Sequence, residues 1–518
     1  MITLKIDSKD ISAPEGSTIL EVAQSAGIHI PTLCWAKNYI PSTSCMVCVV
    51  RIDGIKNLVP ACGTRISENM HVTTYSDEIQ KSRKAAIELL LSDHVGDCLG
   101  PCMVGCPAKM NIPLMIRQIA AGDFAAAIQT VKKDIPLPAI LGRICTAPCE
   151  KVCRRKQADD AVSICLLKRF VADVDLGSQT PYAPKCQPDT GKKVAIIGAG
   201  PAGLSAAYYL KQAGIQCSIY DSNDRPGGTL CNGDIDRNIL PLSVVEKEIN
   251  QILAMGIEFH GNIRLGKDVS LEELKSQYDA VLVTTGQSNE KKITVKRPDY
   301  MTDQPGVFAA GGCIGSRNLC IRAVADGKEA ADSIQSFLLD GETVSKSAYN
   351  HRTGQLEPAE MDIFKSQAAD MARQEPVSIE TGLTLDQAQA ETARCLHCDC
   401  RKADNCQLRD LATELDARQK SWQGYKKLFR QITEHEQIVF EPGKCIQCGL
   451  CIQAAEAEGE QIGLAFQGRG FEEKITVPLN KSMKYGLVKS AKKCVDICPT
   501  GALAMKEYIS SPKRERRD

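Results

Sequence analysis

The sequence predicts a multidomain protein of α/β and α+β class, and three observations predict it. Its 518 residues make room for about three to five domains of roughly 100–200 residues each. Between Lys193 and Gly228 a run of β-formers enters a Gly-x-Gly-x-x-Gly turn, a small-residue helix follows, and a second strand ends at an acid. That is the order of a parallel β-α-β unit. The 25 cysteines gather mostly in tight groups on both sides of this unit. Cysteines two or three residues apart are poor disulfide partners, and a secreted disulfide scaffold is normally short and carries a signal peptide. The groups therefore read as metal or cluster ligands. The isolated Cys186, Cys217, Cys231, Cys313 and Cys320 read as small buried hydrophobes. Lys+Arg and Asp+Glu both number 63, and zero net charge removes the electrostatic argument for nucleic acid as a main partner. No early apolar run looks like a signal peptide and no apolar stretch approaches a membrane span, so a cytoplasmic location is expected.

Residues 1–75 open with short strands, Thr3 to Ile6 and around Asp10-Ile11, before a helix that Ser17 can cap and Gly27 can end. Cys34-x10-Cys45-x2-Cys48-x13-Cys62 follows. Four thiolates, three of them on a long irregular loop, suit a [2Fe–2S] centre, whereas zinc favours paired Cys-x2–4-Cys knuckles. The spacing, with Pro31-Thr-Leu-Cys34 and Leu58-Val-Pro-Ala-Cys62, resembles the N-terminal ferredoxin domain of the largest peripheral subunit of respiratory complex I and of related NAD-linked hydrogenases and formate dehydrogenases. The resemblance implies a β-grasp [2Fe–2S] ferredoxin.

Residues 76–185 begin with an amphipathic helix from about Asp77 to Ser92. Then come His94, Cys98, Cys102 and Cys106-Pro107, a helical stretch from about Ile112 to Lys133, and Cys145, Cys149, Cys153 and Cys165. Two groups of three cysteines, the first ending in Cys-Pro, suit two cubane clusters whose ligands cross between groups. The region resembles the helical iron–sulfur domain of the glutamate synthase small subunit, also found in dihydropyrimidine dehydrogenase and in bifurcating ferredoxin:NADP oxidoreductases. The resemblance implies that Cys98, Cys102 and Cys153 share one [4Fe–4S] cluster and Cys106, Cys145 and Cys149 the other. Eight ligands are needed and seven cysteines are present. The family's Gln or Glu ligand falls at Lys168, which cannot ligate while protonated. Cys165, one turn earlier, is the replacement, and His94 is the candidate for the first cluster, with one missing or three-iron cluster as the alternative.

Residues 190–340 carry the glycine turn. Gly198 permits the tight turn, Gly200 lets a phosphate approach the backbone, and Gly203 lets helix and strand pack closely, with Pro201 and Ala202 opening the helix on whose N-terminus a pyrophosphate would sit. Gly214 closes that helix, the second strand runs from Cys217 to Tyr220, and Asp221 stands where a ribose hydroxyl needs an acceptor. Arg225, Gly227 and Gly228 complete the motif, and a helix from Glu246 to Met255, a strand to His260 and the strand ending at Gly286 follow. The same family resemblance makes this an FAD-binding Rossmann-like domain. It also implies a second, NAD(P)-binding unit after Gly286, but here only Gln287 to Gly306 stand before the flavin domain resumes at Val307-Phe-Ala-Ala-Gly311-Gly312. Gly312 replaces the family's Asp. A helix from about Leu319 to Phe337 follows.

Residues 341–430 are a charged linker with Cys395, Cys398, Cys400 and Cys406, four cysteines that can hold one cubane or a zinc ion. The Arg-Cys-Leu-x-Cys start resembles cluster motifs attached to such flavin domains. Residues 431–510 carry Cys445, Cys448 and Cys451, then Cys494 and Cys498-Pro499, and resemble a two-cluster ferredoxin of the complex I kind. In such ferredoxins the fourth Cys of each run ligates the other cluster. Ala455, Val488 and Ala491 stand at ligand positions of one cluster, so a single [4Fe–4S] on Cys445, Cys448, Cys451 and Cys498 is expected, with Cys494 an orphan.

These resemblances imply FAD, one [2Fe–2S] and about three to four [4Fe–4S] clusters. No acid–base or nucleophile set stands out. The expected role is an electron-transfer subunit of a larger oxidoreductase. Its partners would be an NAD- and flavin-binding subunit and a catalytic subunit, such as a formate dehydrogenase or hydrogenase, or ferredoxin, with electron bifurcation open. The alternatives are a self-contained flavin-dependent reductase of a small molecule or quinone, and an assembly scaffold with a vestigial FAD site.

Overall fold

The computed structural model describes residues 1–286, 292–315, 319–339, 348–422 and 429–506. They fall into two compact units, Met1–Leu99 with Lys346–Phe364 and Cys398–Asp518, and Gly100–Ser345 with Lys365–His397. Two of the four breaks fall inside cysteine groups, between Cys98 and Cys102 and between Cys395 and Cys398. Among the described residues no helix is long and apolar enough to cross a membrane.

The first unit starts with a β-grasp sheet. β1 (Ile2–Ile6) pairs antiparallel with β2 (Lys9–Ala13) and parallel with β5 (His71–Thr73); β5 pairs with β3 (Val49–Ile52), and β3 with β4 (Val59–Pro60). Leu4, Ile6, Val50, Ile52 and Val72 form a core with the apolar face of α1 (Ile19–Ser25). The cap of α1 is Thr18 rather than Ser17. Thr18 is the extended residue, and its hydroxyl accepts from the Glu21 N–H while the Glu21 carboxylate accepts from the Thr18 N–H at 2.8 Å. That reciprocal pair needs a Glu three residues on, which Thr18 has. Gly27 (φ 68) ends the helix, with the Ile28 N–H returning to the Ala23 carbonyl at 2.8 Å. α2 (Asp77–Ser92) is held on the sheet by buried Arg83, which donates to the carbonyls of Val49 and Thr74.

The second unit opens with α3 (Pro101–Gly105), α4 (Ile112–Ala120), α5 (Phe124–Lys132), α6 (Pro138–Ile144), α7 (Pro148–Lys151) and α8 (Ile164–Leu176). The continuous helix expected over 112–133 is two helices. Gly122 takes φ 73, and Asp123 then caps α5 by accepting from the Ala126 N–H at 2.9 Å. The helices run into a five-stranded parallel sheet ordered β10-β9-β6-β7-β8, built from β6 (Lys193–Ile197), α9 (Pro201–Gln212), β7 (Gln216–Tyr220), α10 (Thr229–Asn232), α11 (Leu242–Leu253), β8 (Glu258–His260), α12 (Leu271–Gln277), β9 (Ala280–Val283), β10 (Val307–Ala309) and α13 (Cys320–Leu339). Val194–Ile197 and Ala280–Val283 are buried throughout, as strands covered on both faces must be. The helix expected at Glu246 starts earlier, at Leu242, directly after Pro241. β9 connects to β10 through residues 284–306, of which 287–291 lie outside the described residues; Lys296 bridges Met301 and Met301 bridges Phe308. α15 (Leu385–Thr392) completes this unit, and α14 (Pro358–Lys365) before it falls in the first unit up to Phe364.

The first unit resumes with α16 (Gln407–Glu414), β11 (Ile438–Phe440), α17 (Leu450–Ala457), the hairpin β12 (Ala465–Gln467) and β13 (Lys474–Thr476), α18 (Met483–Gly486), α19 (Ala491–Ile497) and β14 (Leu503–Met505), which pairs antiparallel with β11. The charged tail from Pro512 lies outside the described residues.

One buried acid couples helical domain and sheet. Glu248 of α11 accepts from the N–H groups of Ala139 (2.6 Å) and Ile140 (2.8 Å) at the start of α6. Burial pushes its carboxyl up from about 4.5 to about 7. Between those values the folded chain holds a proton that the unfolded chain has lost, so this carboxyl lowers stability as pH rises across that window. Glu248→Gln, neutral throughout, should flatten that dependence. Thermal midpoints of both proteins at pH 5.5 and 7.5 check it, and parallel pH profiles would contradict it.

Candidate cluster and dinucleotide sites

The glycine turn links β6 to α9. Gly198 takes φ 106, a region closed to most side chains, and a Cβ at Gly203 would collide with the Gly198 carbonyl oxygen. A Cβ at Gly200 would meet nothing within 4 Å. α9 has no side-chain cap, so its first N–H groups face the open side of the turn, where an anionic phosphate fits. Asp221 is buried and holds the turn itself: one oxygen accepts from the Ala199 N–H at 2.6 Å, the other from the Asn223 backbone and side chain at 2.8 Å each. Gly228 (φ 52) packs toward Gly200, and Gly227 takes φ 127. Arg225 is exposed, with only 3.9 Å pairs to Asp224 and Glu246. Gly311 (φ 77) packs on Ala202, and Gly312 follows it in a short 3-10 turn ahead of α13.

Cys34, Cys45, Cys48 and Cys62 converge and are all buried. The Cys48 and Cys62 sulfurs are 3.3 Å apart. Its hydrogen bond with Cys45 holds the Cys34 thiol well below its ordinary value, and that with Cys62 lowers Cys48; Cys45 and Cys62 are pushed up. Four sulfur donors fit the soft-ligand demand of an iron–sulfur centre. Thr43 and Met46, both at positive φ, fold the loop that carries Cys45 and Cys48.

Cys445, Cys448, Cys451 and Cys498 line one cavity with Phe440 and Ile475. Burial raises the Cys448 and Cys451 thiols, and the neighbouring cysteines add to it; Cys34 is among the charges acting on Cys448. Cys34, Cys45, Cys448 and Cys498 share one hydrophobic core, and Gln453 of α17 makes two hydrogen bonds to the Ile40 backbone at 2.8 and 2.9 Å. Ala455, Ala491 and Cys494 are buried in that same core, and Val488 is exposed.

In the second unit Cys165 hydrogen-bonds Cys145, lowering that thiol to about 6, while its own is pushed up. Lys168, one turn on, is fully buried. Burial opposes its charge, but Cys165, Cys145, Cys149 and Cys106 outweigh this and hold it cationic. Cys320 opens α13, the helix that packs on α9; burial pushes its thiol up to about 12, and Cys145 and Lys168 act on it. Cys102, Cys153 and Cys395 pack against the same core.

His94 and His351 meet edge to face, ring centroids 4.9 Å apart. Burial, then the nearby His351 and Lys444, lower the His94 imidazole well below its usual value. His351 donates its N–H to the Cys98 sulfur at 3.4 Å, and Cys400 donates its N–H to the Cys98 carbonyl at 3.2 Å. Among the described residues no three or more His, Cys, Asp or Glu side chains are arranged as the ligands of a single metal ion.

Three family models match segments of the chain: the 2Fe-2S iron-sulfur cluster binding domain over residues 1–77, dihydropyrimidine dehydrogenase domain II with its 4Fe-4S cluster over 73–180, and the NAD(P)-binding Rossmann-like domain over 196–244. The chain is similar to the NADPH-Fe(3+) oxidoreductase subunit beta of Geobacter sulfurreducens, 40% identical over 202 residues, 38% of this chain and 30% of that protein. It is similar to the NADP(+)-dependent formate dehydrogenase subunit beta of Moorella thermoacetica, 35% identical over 269 residues, 46% and 38% of the two chains. It is also similar to the glutamate synthase (NADPH) small chain of Bacillus subtilis, 37% identical over 197 residues, 38% and 39%. The chain thus spans 30–39% of the length of these relatives. Its first three domains are a 2Fe-2S domain, a helical 4Fe-4S domain and a Rossmann-like nucleotide-binding domain.

Gly200→Ala should leave the fold intact but lower bound dinucleotide, whereas Gly203→Ala should cost about 1–3 kcal/mol of stability through overpacking; cofactor analysis and unfolding curves separate the two. Cys494→Ala should keep full iron content, and Cys498→Ala should lose about one cubane's four irons, by iron assay.

Proposed function

We propose that this chain is an iron–sulfur flavoprotein subunit that passes electrons between its clusters and an FAD held at the Gly198–Gly203 turn, within a multi-subunit oxidoreductase. The observation that carries this reading is the spacing of thiol sets inside each unit. In the first, the Cys34–Cys62 set and the Cys445–Cys498 set share one core, with Cys34 within electrostatic reach of Cys448. In the second, Cys106, Cys145, Cys149 and Cys165 surround the buried Lys168, and Cys145 acts on Cys320 at the head of α13. Clusters pass one electron at a time, and a flavin exchanges one or two.

FAD is favoured at the turn because this stretch resembles the flavin half of the glutamate synthase small subunit, a protein to which the chain is similar. Gly200 and the uncapped start of α9 accept the pyrophosphate; the Ala199 N–H is already held by Asp221. Cys106, Cys145, Cys149 and Cys165 would hold one cubane, with Lys168 as a buried counter-charge. Two relatives are each named as a subunit beta, which supports other subunits as partners: an NAD- and flavin-binding subunit docking the ferredoxin-like N-terminus, and a catalytic subunit or ferredoxin as the other electron partner. We place the protein in the cytoplasm.

Native purification with mass spectrometry of partners, flavin release and iron analysis tests the reading. NADH or NADPH alone should leave the flavin of the isolated chain oxidised, and the partner complex should reduce it. Rapid flavin bleaching of the isolated chain, or its unaided turnover of a small oxidant, would replace the subunit reading with a self-contained reductase. Iron without flavin would favour a scaffold.

A further inference from the structure

The four cysteines from 395 to 406 are close in sequence, yet the fold divides them. Cys395 ends a segment riveted to the second unit. Arg394, immediately before it, is fully buried; its guanidinium donates to Ala161 and Asp160 carbonyls, to Met371, and to the carboxylates of Asp159 and Glu391. Arg155, two residues after Cys153, donates to the Arg394 carbonyl at 2.9 Å. Glu391 in turn accepts from the Ser163 N–H at 2.7 Å. Cys395 is thereby held against the stretch that follows Cys153, and both pack with Cys102 on one core.

Cys398, Cys400 and Cys406 belong to the first unit, as does Cys98. The Cys98 carbonyl accepts from Cys400, its N–H donates to the His351 carbonyl at 3.1 Å, and its sulfur accepts from the His351 N–H. Cys98, Cys400 and Cys406 are each buried; the backbone bond holds Cys400 against Cys98, and Cys406, at the start of α16, lies in the core of the same unit. Cations surround them. Lys444 is fully buried and paired with Glu441, and Lys402 donates to the Val495 and Cys498 carbonyls at 2.8 Å each. A thiolate-bound cluster carries net negative charge, and buried cations of this kind offset it.

We propose that Cys98 and Cys395 trade places relative to the order of the sequence: Cys98, Cys398, Cys400 and Cys406 hold one [4Fe–4S] cluster, while Cys395 joins Cys102 and Cys153. The inference rests on the iron–sulfur reading above. It puts a third centre in the first unit beside the Cys445–Cys498 site, because the Cys400 sulfur packs on Gly501 and Lys402 binds the Cys498 carbonyl. The first unit then carries an uninterrupted series of three centres.

The test is electron paramagnetic resonance and iron content of the reduced full chain, purified anaerobically. Cys98→Ser and Cys406→Ser should each remove the same [4Fe–4S] signal and about four irons per chain, and the double variant should lose no more than either. Cys395→Ser and Cys153→Ser should share a different signal. Cys98→Ser removing the signal that Cys153→Ser removes, or a double variant that loses twice the iron, would overturn the grouping. The wild-type chain gives the same answer without variants. Under stepwise iron chelation, thiol alkylation and mass spectrometry should label Cys98, Cys400 and Cys406 in one step and Cys102, Cys153 and Cys395 in another; Cys98 labelled with Cys102 and Cys153 overturns it. Zinc in place of iron, with Cys98, Cys400 and Cys406 still labelled together, would reject the iron–sulfur reading and keep the grouping.

Discussion

The arrangement of thiols in the second unit depends on one buried charge network. Arg394 and Glu391 are both wholly inside the protein, and each has its polar atoms matched to backbone or to the other's charge. Such a network contributes little net stability when complete, because desolvation offsets attraction, but removing one member leaves an unpaired buried charge at a cost of about 3–5 kcal/mol. It therefore acts as a register device. The loop after Cys153 and the segment before Cys395 are more than two hundred residues apart, and Arg155, Asp159, Ser163, Glu391 and Arg394 permit one way of joining them.

A second theme is the pairing of buried cations with thiols. Lys168 and Lys444 are deep inside their units, one among four cysteines, the other between Glu441 and the Cys98–Cys400 sulfurs. An isolated ammonium would shed its proton in such surroundings. Lys168 keeps it because the surrounding cysteines outweigh burial, and Lys444 because Cys400 and its partner Glu441 do. A Glu in place of Lys168 would add negative charge to the same set, and the lysine subtracts it. At the ferredoxin-like end, Ala455, Ala491 and Cys494 close α17 against α19 as ordinary core, so packing fills that volume.

Much was legible in the sequence because the signals were local. The glycine turn, its helix and the two flanking strands depend on sterics within about thirty residues, and three of the four thiols from Cys34 to Cys62 stand on one loop, with Cys62 just after the β3–β4 pair. Even there, small misreadings trace to rules that compete over one or two residues. Thr18 outranked Ser17 as a cap because only Thr18 has Glu21 three residues on. Gly122 broke a helix whose apolar period ran unbroken. Asp221, expected as a ligand acceptor, is also the brace of the turn through Ala199.

What the sequence by itself determined is the inventory: which domains are present, which residue types can hold clusters, and that one dinucleotide turn exists. What only the tertiary structure decided is which cysteines share a compact unit. Spacing gives the ligand types and their local runs, and it kept Cys395 beside Cys398 and Cys98 beside Cys102. The fold divides both groups, because backbone hydrogen bonds from His351 and Cys400 capture Cys98, and a buried arginine more than two hundred residues from Cys153 captures Cys395. Long-range burial of charge and backbone carries no periodicity, and so it left no mark for sequence reading to find.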